Sequence, residues 1–215
     1  MSDVIVRTHE GLAPFVKWYW PKSDDGAWDG PVDDWIVSHG PLISTFEKKR
    51  GVIQAGGCCG MYPALLSSMY DQVLTFEPDA INFSFLEMNC EGLPNVWYSN
   101  SALGDTHKFV GVNRLTMNNV GMHQVVDTPN GDVPMTTIDS EAFKLRVPVD
   151  LIWLDLEGYE YLALLGAIET IKEFHPIIGV ERASGSIRDL LNPMGYRELA
   201  PSKMDTFFIH REDIK

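Results

Sequence analysis

Val52-Ile53-Gln54-Ala55-Gly56-Gly57-Cys58-Cys59-Gly60-Met61-Tyr62-Pro63-Ala64-Leu65-Leu66-Ser67-Ser68-Met69-Tyr70 is the stretch whose reading decides the fold. A β-branched run ends at Ile53, small residues follow at once, and apolar residues then recur at helical spacing around Pro63, where a first-turn proline is tolerated. The pattern predicts strand, tight turn and helix. Its glycines let the backbone turn sharply and come close to a ligand. One crossover later, Val73-Leu74-Thr75-Phe76 reads as a second buried strand with Glu77-Pro78-Asp79 at its carboxyl end. In a doubly wound sheet an acid there, roughly 20 residues after the glycines, hydrogen-bonds the ribose hydroxyls of a nucleoside-type cofactor.

The alternation continues outward from this pair. A helix runs from the capping Asp79 to about Cys90, with Ile81, Phe85 and Met88 on one side. Asn95 to Tyr98 is a strand, and Ser99 to Asp105 a polar turn at its carboxyl end. Phe109 to Thr137, with the turn signal Thr128-Pro129-Asn130-Gly131-Asp132, predicts a hairpin or meander. A short helix begins at Ile138, and Val149 to Leu154 forms the most hydrophobic strand, ending in Asp155-Leu156-Glu157-Gly158. Glu160 to Phe174 reads as one helix with Tyr161, Leu164, Leu165 and Ile168 towards the sheet. Pro176 to Glu181, Tyr196 to Leu199 and Thr206 to His210 are the last strands, with a short helix near Ser186 to Leu191. Such alternation predicts a mostly parallel sheet covered by helices on both faces, with ligands at the carboxyl ends of its strands.

Residues 1–50 are less regular and read as an N-terminal extension on a domain spanning 51–215. Its turn formers and Trp18, Trp20 and Trp28 suggest a flap packed on the sheet, in preference to a lid, because aromatics serve packing more often than sites. Val32 to Arg50 reads as helical with a break at Gly40-Pro41, and Lys48-Lys49-Arg50 as a complement to the helix dipole.

The chain has 215 residues, 45% of them hydrophobic and 22% charged, which fits one globular domain with a sizeable core. No apolar run approaches the roughly 18 residues of a membrane span, and the first residues lack signal-peptide character, so a cytoplasmic protein is expected. The net charge of −13 disfavours a nucleic-acid partner. Three cysteines, two of them adjacent, have no zinc-ligand spacing and read as reduced packing residues; no metal site is predicted.

Ala55 stands where the dinucleotide fingerprint needs its first glycine. Tyr159 lacks the lysine four residues on that a short-chain dehydrogenase requires, since Ala163 is there. Nicotinamide chemistry therefore loses most of its support. Asp155 and Glu157 are the candidate catalytic acids, able to take a proton from a hydroxyl or to hold a cofactor amine. Glu157 and Glu160 also suit the start of a helix. Glu181 is a candidate partner of Asp155 on a divalent metal, or of Arg182 or Arg188 in an ion pair. His107 and His123 border the irregular region as candidate bases.

Together Val52 to Gly60, Phe76-Glu77-Pro78-Asp79, Ser101-Ala102-Leu103-Gly104, Thr137-Ile138-Asp139, Val149 to Glu160 and Pro176 to Glu181 resemble the FkbM family of S-adenosylmethionine-dependent methyltransferases. The most specific part is Asp155-Leu156-Glu157-Gly158-Tyr159-Glu160 followed by Leu164-Leu165-Gly166-Ala167. The resemblance covers roughly residues 51–209. It implies a Rossmann-like class I fold, an α/β architecture whose mostly parallel seven-stranded sheet has an antiparallel last strand. It also implies methyl transfer from S-adenosylmethionine, with S-adenosylhomocysteine as product, to a hydroxyl of a small molecule or saccharide. The alternatives are a methyltransferase acting on nucleic acid or protein, and a cofactor-binding module without catalysis.

By position, the resemblance assigns Gln54, Gly56, Gly57, Cys58, Gly60, Met61 and Tyr62 to the methionine part of the cofactor. Glu77, Pro78 and Asp79 take the ribose side, Ser101, Ala102 and Leu103 the adenine, and Asp155 with Glu157 the reacting end. The family usually has aspartate at Gln54, a small polar residue at Cys58 and lysine at Trp153. Gln54 keeps an amide oxygen for an ammonium group but brings no charge.

Overall fold

The computed structural model describes residues 3–116, 118–199 and 205–213. It opens on an antiparallel pair, β1 (Val4–Thr8) and β2 (Lys17–Pro21). These strands were not expected from the sequence. Their signal is period-two alternation: Trp18 and Trp20 are buried while Lys17 and Tyr19 face outward. Next come α1 (Asp29–Asp34), a π-helical turn over Trp35–His39, and α2 (Gly40–Ser44), joined without the expected break at Gly40-Pro41. Pro41 falls in the first turn of α2, directly after the wide turn, so its missing N–H interrupts nothing.

That helical run ends at Ser44, short of Arg50, so the basic triplet lies outside it. Lys48 pairs with Asp213 at 2.7 Å, and Arg50 grips Asp150 through Nε at 2.9 Å and a terminal nitrogen at 2.6 Å. Only Lys49 still serves the helix end, donating to the Ser44 carbonyl at 2.9 Å.

The rest of the chain alternates largely as its pattern predicts. In order come β3 (Gly51–Ala55), α3 (Met61–Ser67), β4 (Gln72–Phe76), α4 (Ala80–Cys90), β5 (Val96–Ser99) and β6 (Ala102–Leu103). Then follow β7 (Lys108–Arg114), β8 (His123–Val126), β9 (Val133–Thr136), α5 (Ile138–Glu141), β10 (Val149–Leu154), α6 (Glu160–Leu165) and α7 (Ile168–Phe174). The chain closes with β11 (Ile177–Glu181), α8 (Gly185–Leu191), β12 (Tyr196–Glu198) and β13 (Asp205–His210).

The main sheet has seven strands in the order β12-β13-β11-β10-β3-β4-β5. It is mixed: β3, β4, β5, β10 and β11 pair in parallel, and β13 runs antiparallel to both of its neighbours. Strand order reverses at β3, which lies between β4 and β10, so the carboxyl ends of β3 and β10 open the crevice where such sheets bind ligands. A smaller sheet, β6-β9-β7-β8, contains the expected meander around a central antiparallel pair. Ala102 and Leu103, expected as turn, supply its edge by pairing in parallel with Met135 and Thr136.

Successive strand residues feed opposite faces, which is why the strands read as continuous apolar runs. Val52, Val73, Leu151 and Trp153 join α3, α4 and the N-terminal tryptophans in one core. Ile53, Leu74, Ile152 and Leu154 join α5, α6, α7 and α8 in the other. Two helical faces differ from expectation. In α4 the buried stripe is Asn82, Phe85, Leu86 and Cys90, while Ile81 and Met88 are exposed. The predicted helix from Glu160 to Phe174 is two, α6 and α7, with Tyr161 exposed. They part at Gly166, where a Cβ would lie 2.1 Å from the Gly104 carbonyl oxygen, so the helix yields to close backbone packing. Among the described residues no helix is long and apolar enough to cross a membrane.

Candidate active site

The turn after β3 is shaped by positions that only glycine fills without strain. Gly56 has φ +81°, and a Cβ there would lie 1.9 Å from the Asp155 carbonyl oxygen, so the turn rests against the end of β10. Gly57 N–H donates to Phe76 O at 2.9 Å, continuing the β3–β4 ladder, and Gly60 at φ +86° starts α3. Glu77 closes the turn from the β4 side. One carboxylate oxygen accepts from Cys58 N–H at 2.7 Å and the other from Asp79 N–H at 2.8 Å. Burial raises the Glu77 pKa to about 7, against the lowering effect of those two backbone donors.

Together these residues line a partly open cavity at the carboxyl ends of β3, β4 and β10. Of the residues anticipated from sequence, Gly56, Gly57, Cys58, Met61, Tyr62, Glu77, Pro78, Asp155 and Glu157 line it. Gln54 does not. Its amide nitrogen donates to Gly56 O at 3.0 Å and its oxygen accepts from the Thr75 hydroxyl at 2.5 Å. The side chain braces the turn from beneath, and its oxygen is already engaged.

Asp79 likewise faces inward. It caps α4 by accepting from Ile81 and Asn82 N–H, and its second oxygen meets Arg114 at 2.6 Å and His123 Nδ1 at 3.2 Å. Burial alone would raise its pKa, but the His123 and Arg114 hydrogen bonds outweigh it and hold the carboxyl below the usual range. Ser101 pairs with Ser99 at 3.0 Å, and Ala102 and Leu103 are packed into the apolar cores away from the cavity lining. Gly60 sits behind the turn against Leu86. His107 is exposed ahead of β7, whereas His123 lines the cavity.

Much of the roof was not visible in the sequence. Trp20, Ala27 and Pro31 of the N-terminal segment and Val120 and Gly121 of the loop before β8 line the same cavity. Buried Asp24 joins these two segments, accepting from Trp20 Nε1 at 2.7 Å, Ala27 N–H at 3.1 Å and Val120 N–H at 3.2 Å. The N-terminal segment is thus flap and roof at once: Trp18 and Trp28 pack in the core while Trp20 serves both.

Beyond Asp155 the cavity adjoins a second one, with which it shares Ala27, Pro31, Tyr62, Gly121, Asp155 and Glu157. Its wall carries Asp34, Glu181 and Asp205 as well, with Arg182 the basic residue among them and His39 in contact with Asp205. Carboxylate oxygens of Asp155, Glu157 and Glu181 lie within 4.8 Å of one another. Burial, then the charges of Glu181, Asp205 and Glu157, push the Asp155 pKa well above the ordinary range. Burial also raises Glu157, and it raises Glu181 although Arg182 opposes the shift. Glu160, besides starting α6, accepts from Leu156 N–H at 2.8 Å and Gly158 N–H at 3.3 Å, fixing the turn that carries Asp155 and Glu157. Trp153, beneath Asp155, stacks on Tyr62 with ring centres 4.6 Å apart.

Comparison with known structures places this architecture among α/β methyltransferase-like folds. A methyltransferase FkbM from Methylobacillus flagellatus KT aligns with a TM-score of 0.50 and 19% identity, over 77% of this chain and 44% of the other. This chain thus spans less than half the length of that protein. Trm5b from Pyrococcus abyssi aligns at 0.54 and 13% identity, over 96% of this chain and 55% of the other. An rRNA methylase from Streptococcus thermophilus aligns at 0.47 and 12% identity, over 80% and 93%. No curated protein sequence matches this chain. Residues 66–198, more than half of the chain, match the methyltransferase FkbM domain, and the chain belongs to that family.

Proposed function

We propose that this chain is an S-adenosylmethionine-dependent methyltransferase that methylates a hydroxyl oxygen of a small molecule or saccharide. The observation that carries this reading is the cavity at the strand-order reversal. There a glycine turn, the ribose-type acid Glu77 and the half-buried acid Asp155 meet. Each Glu77 oxygen already accepts one backbone N–H and retains a second lone pair for a ribose hydroxyl. Met61, Val125 and Leu156 offer apolar contact to a purine or to the methionine chain. The residues present therefore fit the cofactor, although Gln54 takes no part in holding it.

The bound cofactor supplies an electrophilic sulfonium methyl, which needs little chemical activation. The remaining work is alignment of the acceptor and exclusion of water. Trp20, Ala27 and Gly121 shield the cavity from above. The acceptor enters through the adjoining acid-lined cavity, and Asp155 in its ionised form takes the hydroxyl proton. Its raised pKa makes that form a stronger base than an ordinary carboxylate. Glu157 faces the same space and orients the acceptor. The carboxylate-rich wall repels a phosphate backbone and so favours a small acceptor over nucleic acid.

The test is calorimetric titration with S-adenosylhomocysteine, S-adenosylmethionine and NAD, for the native chain and for Glu77→Ala with its fold checked by circular dichroism. A labelled-methyl transfer screen over hydroxylated small molecules and saccharides then follows. Binding of both sulfur cofactors, lost in the variant and absent for NAD, is the expected result. A folded native chain that binds neither would overturn the proposal.

A further inference from the structure

His175, at the end of α7, and His210, at the end of β13, meet on the side of the sheet remote from the cleft. The reason is topological: His175 precedes the parallel strand β11, while His210 ends the antiparallel strand β13. Glu212, in the short 3-10 turn after β13, faces both. Its Oε2 lies 3.5 Å from His175 Nδ1 and 3.9 Å from His210 Nδ1, and the three potential donor atoms are all within 4.8 Å of one another. We propose that His175, His210 and Glu212 bind a divalent ion of the zinc class.

Both distances are long for hydrogen bonds, so the carboxylate holds neither ring tightly. They are close to the ligand–ligand edges of a tetrahedral zinc site, roughly 3.4 Å when metal–ligand bonds are about 2.0–2.1 Å. Two imidazoles and one carboxylate are a donor set that suits zinc and its neighbours, with water completing the shell. His210 Nδ1 also accepts a weak bond from Glu212 N–H at 3.4 Å, so its lone pair already points towards this residue.

The backbone around the trio is specialised. His175 adopts φ +48°, the left-handed region that favours glycine, and this brings its ring over His210 with centres 3.8 Å apart. Gly195, at φ +93°, makes room on the other side, since a Cβ there would lie 2.5 Å from His210 Nε2. The His210 ring is therefore seated against backbone, leaving Nδ1 towards Glu212. The two rings are nearly parallel, inclined by 15°. Loading turns the His175 ring out of the stack so that the lone pairs converge, and its partial exposure permits the movement. The net charge of −13 favours cation uptake. A bound ion would fasten β13 to the corner between α7 and β11 and would stabilise the fold without entering the methyl-transfer site.

The untagged full chain, stripped with a chelator, would be titrated with Zn²⁺ by calorimetry and with Co²⁺ by visible absorption, which reports coordination geometry. One ion per chain is expected, with four-coordinate cobalt bands and a raised melting temperature. His175→Ala and Glu212→Gln alter exposed or half-exposed side chains and should each weaken binding at least tenfold while leaving the circular dichroism unchanged. Asp155→Asn reports on the separate acid cluster and should leave uptake intact. Absence of saturable uptake, uptake undiminished by His175→Ala, or uptake lost only in Asp155→Asn would each overturn the proposal.

Discussion

Glu77 couples the stability of the fold to the chemistry of its cleft, and Glu77→Gln separates the two. Its carboxyl titrates near 4.5 when unperturbed and at about 7 in the folded chain, because burial disfavours the charge. The folded state therefore holds this proton over a window where the unfolded state has released it. Stability falls as pH rises through that window and is level above it. At 1.36 kcal/mol per unit, the penalty is roughly 1 kcal/mol at pH 5 and roughly 3 kcal/mol at pH 8. Glutamine carries no such penalty, but its single oxygen leaves the N–H of either Cys58 or Asp79 unmet, a loss of about 1–3 kcal/mol that does not vary with pH. The stability of the variant relative to the native chain should then improve by about 2 kcal/mol between pH 5 and pH 8. Titrating groups remote from Glu77 are common to both proteins and cancel in the difference. Urea unfolding followed by the fluorescence of the six tryptophans measures it directly. A difference constant to within about 0.5 kcal/mol across this range would show that Glu77 is not held as described.

Two further outcomes follow from the same geometry. Asp155→Asn removes the repulsion from Glu181, Asp205 and Glu157, so the melting temperature at neutral pH should rise. Methyl transfer should meanwhile fall by about 10²-fold or more with cofactor binding retained, and undiminished turnover would remove Asp155 as the base. Asp79 has a lowered pKa, so its contribution is present at neutral pH and is lost as pH falls through the acid range. Arg114→Met should lower stability at pH 7 by about 2 kcal/mol and shrink the further loss on acidification, as read from unfolding curves at pH 7 and pH 3.

How much of this was legible in sequence depends on how local each feature is. The β3–α3 and β4–α4 units could be read because strand, turn and helix signals lie side by side, and Glu77 because it is pinned between a buried strand and Pro78-Asp79. The N-terminal strands were obscured because Trp18-Tyr19-Trp20 is aromatic on both faces, which hides a period-two pattern. The roof could not be read at all. It depends on Asp24 meeting Val120, 96 residues away in the chain, and no local pattern marks Asp24 among the neighbouring acids. Asp79 carries two sequence signals, a helix cap, which the structure shows, and a ligand contact. Its place beside Glu77 suggests a ligand contact, whereas its oxygens are engaged by the helix start, Arg114 and His123.

The two departures from the family at Gln54 and Trp153 read as independent in one dimension, and the sheet makes them one. β3 and β10 pair in parallel with Gln54 directly opposite Trp153, so both side chains leave the same face of adjacent strands. Where the family usually has an aspartate and a lysine, this chain has a neutral amide beside an indole. A single reversion would bury an unpaired charge in a face already packed with Trp35, Tyr62 and Phe207. The paired change leaves no charge to compensate. Gln54 is free to lock the turn through Gly56 and Thr75, and Trp153 supports Tyr62 at the cavity wall. Gln54 and Trp153 together give the cleft a neutral, hydrogen-bonded and aromatic floor that asks for no buried counter-charge.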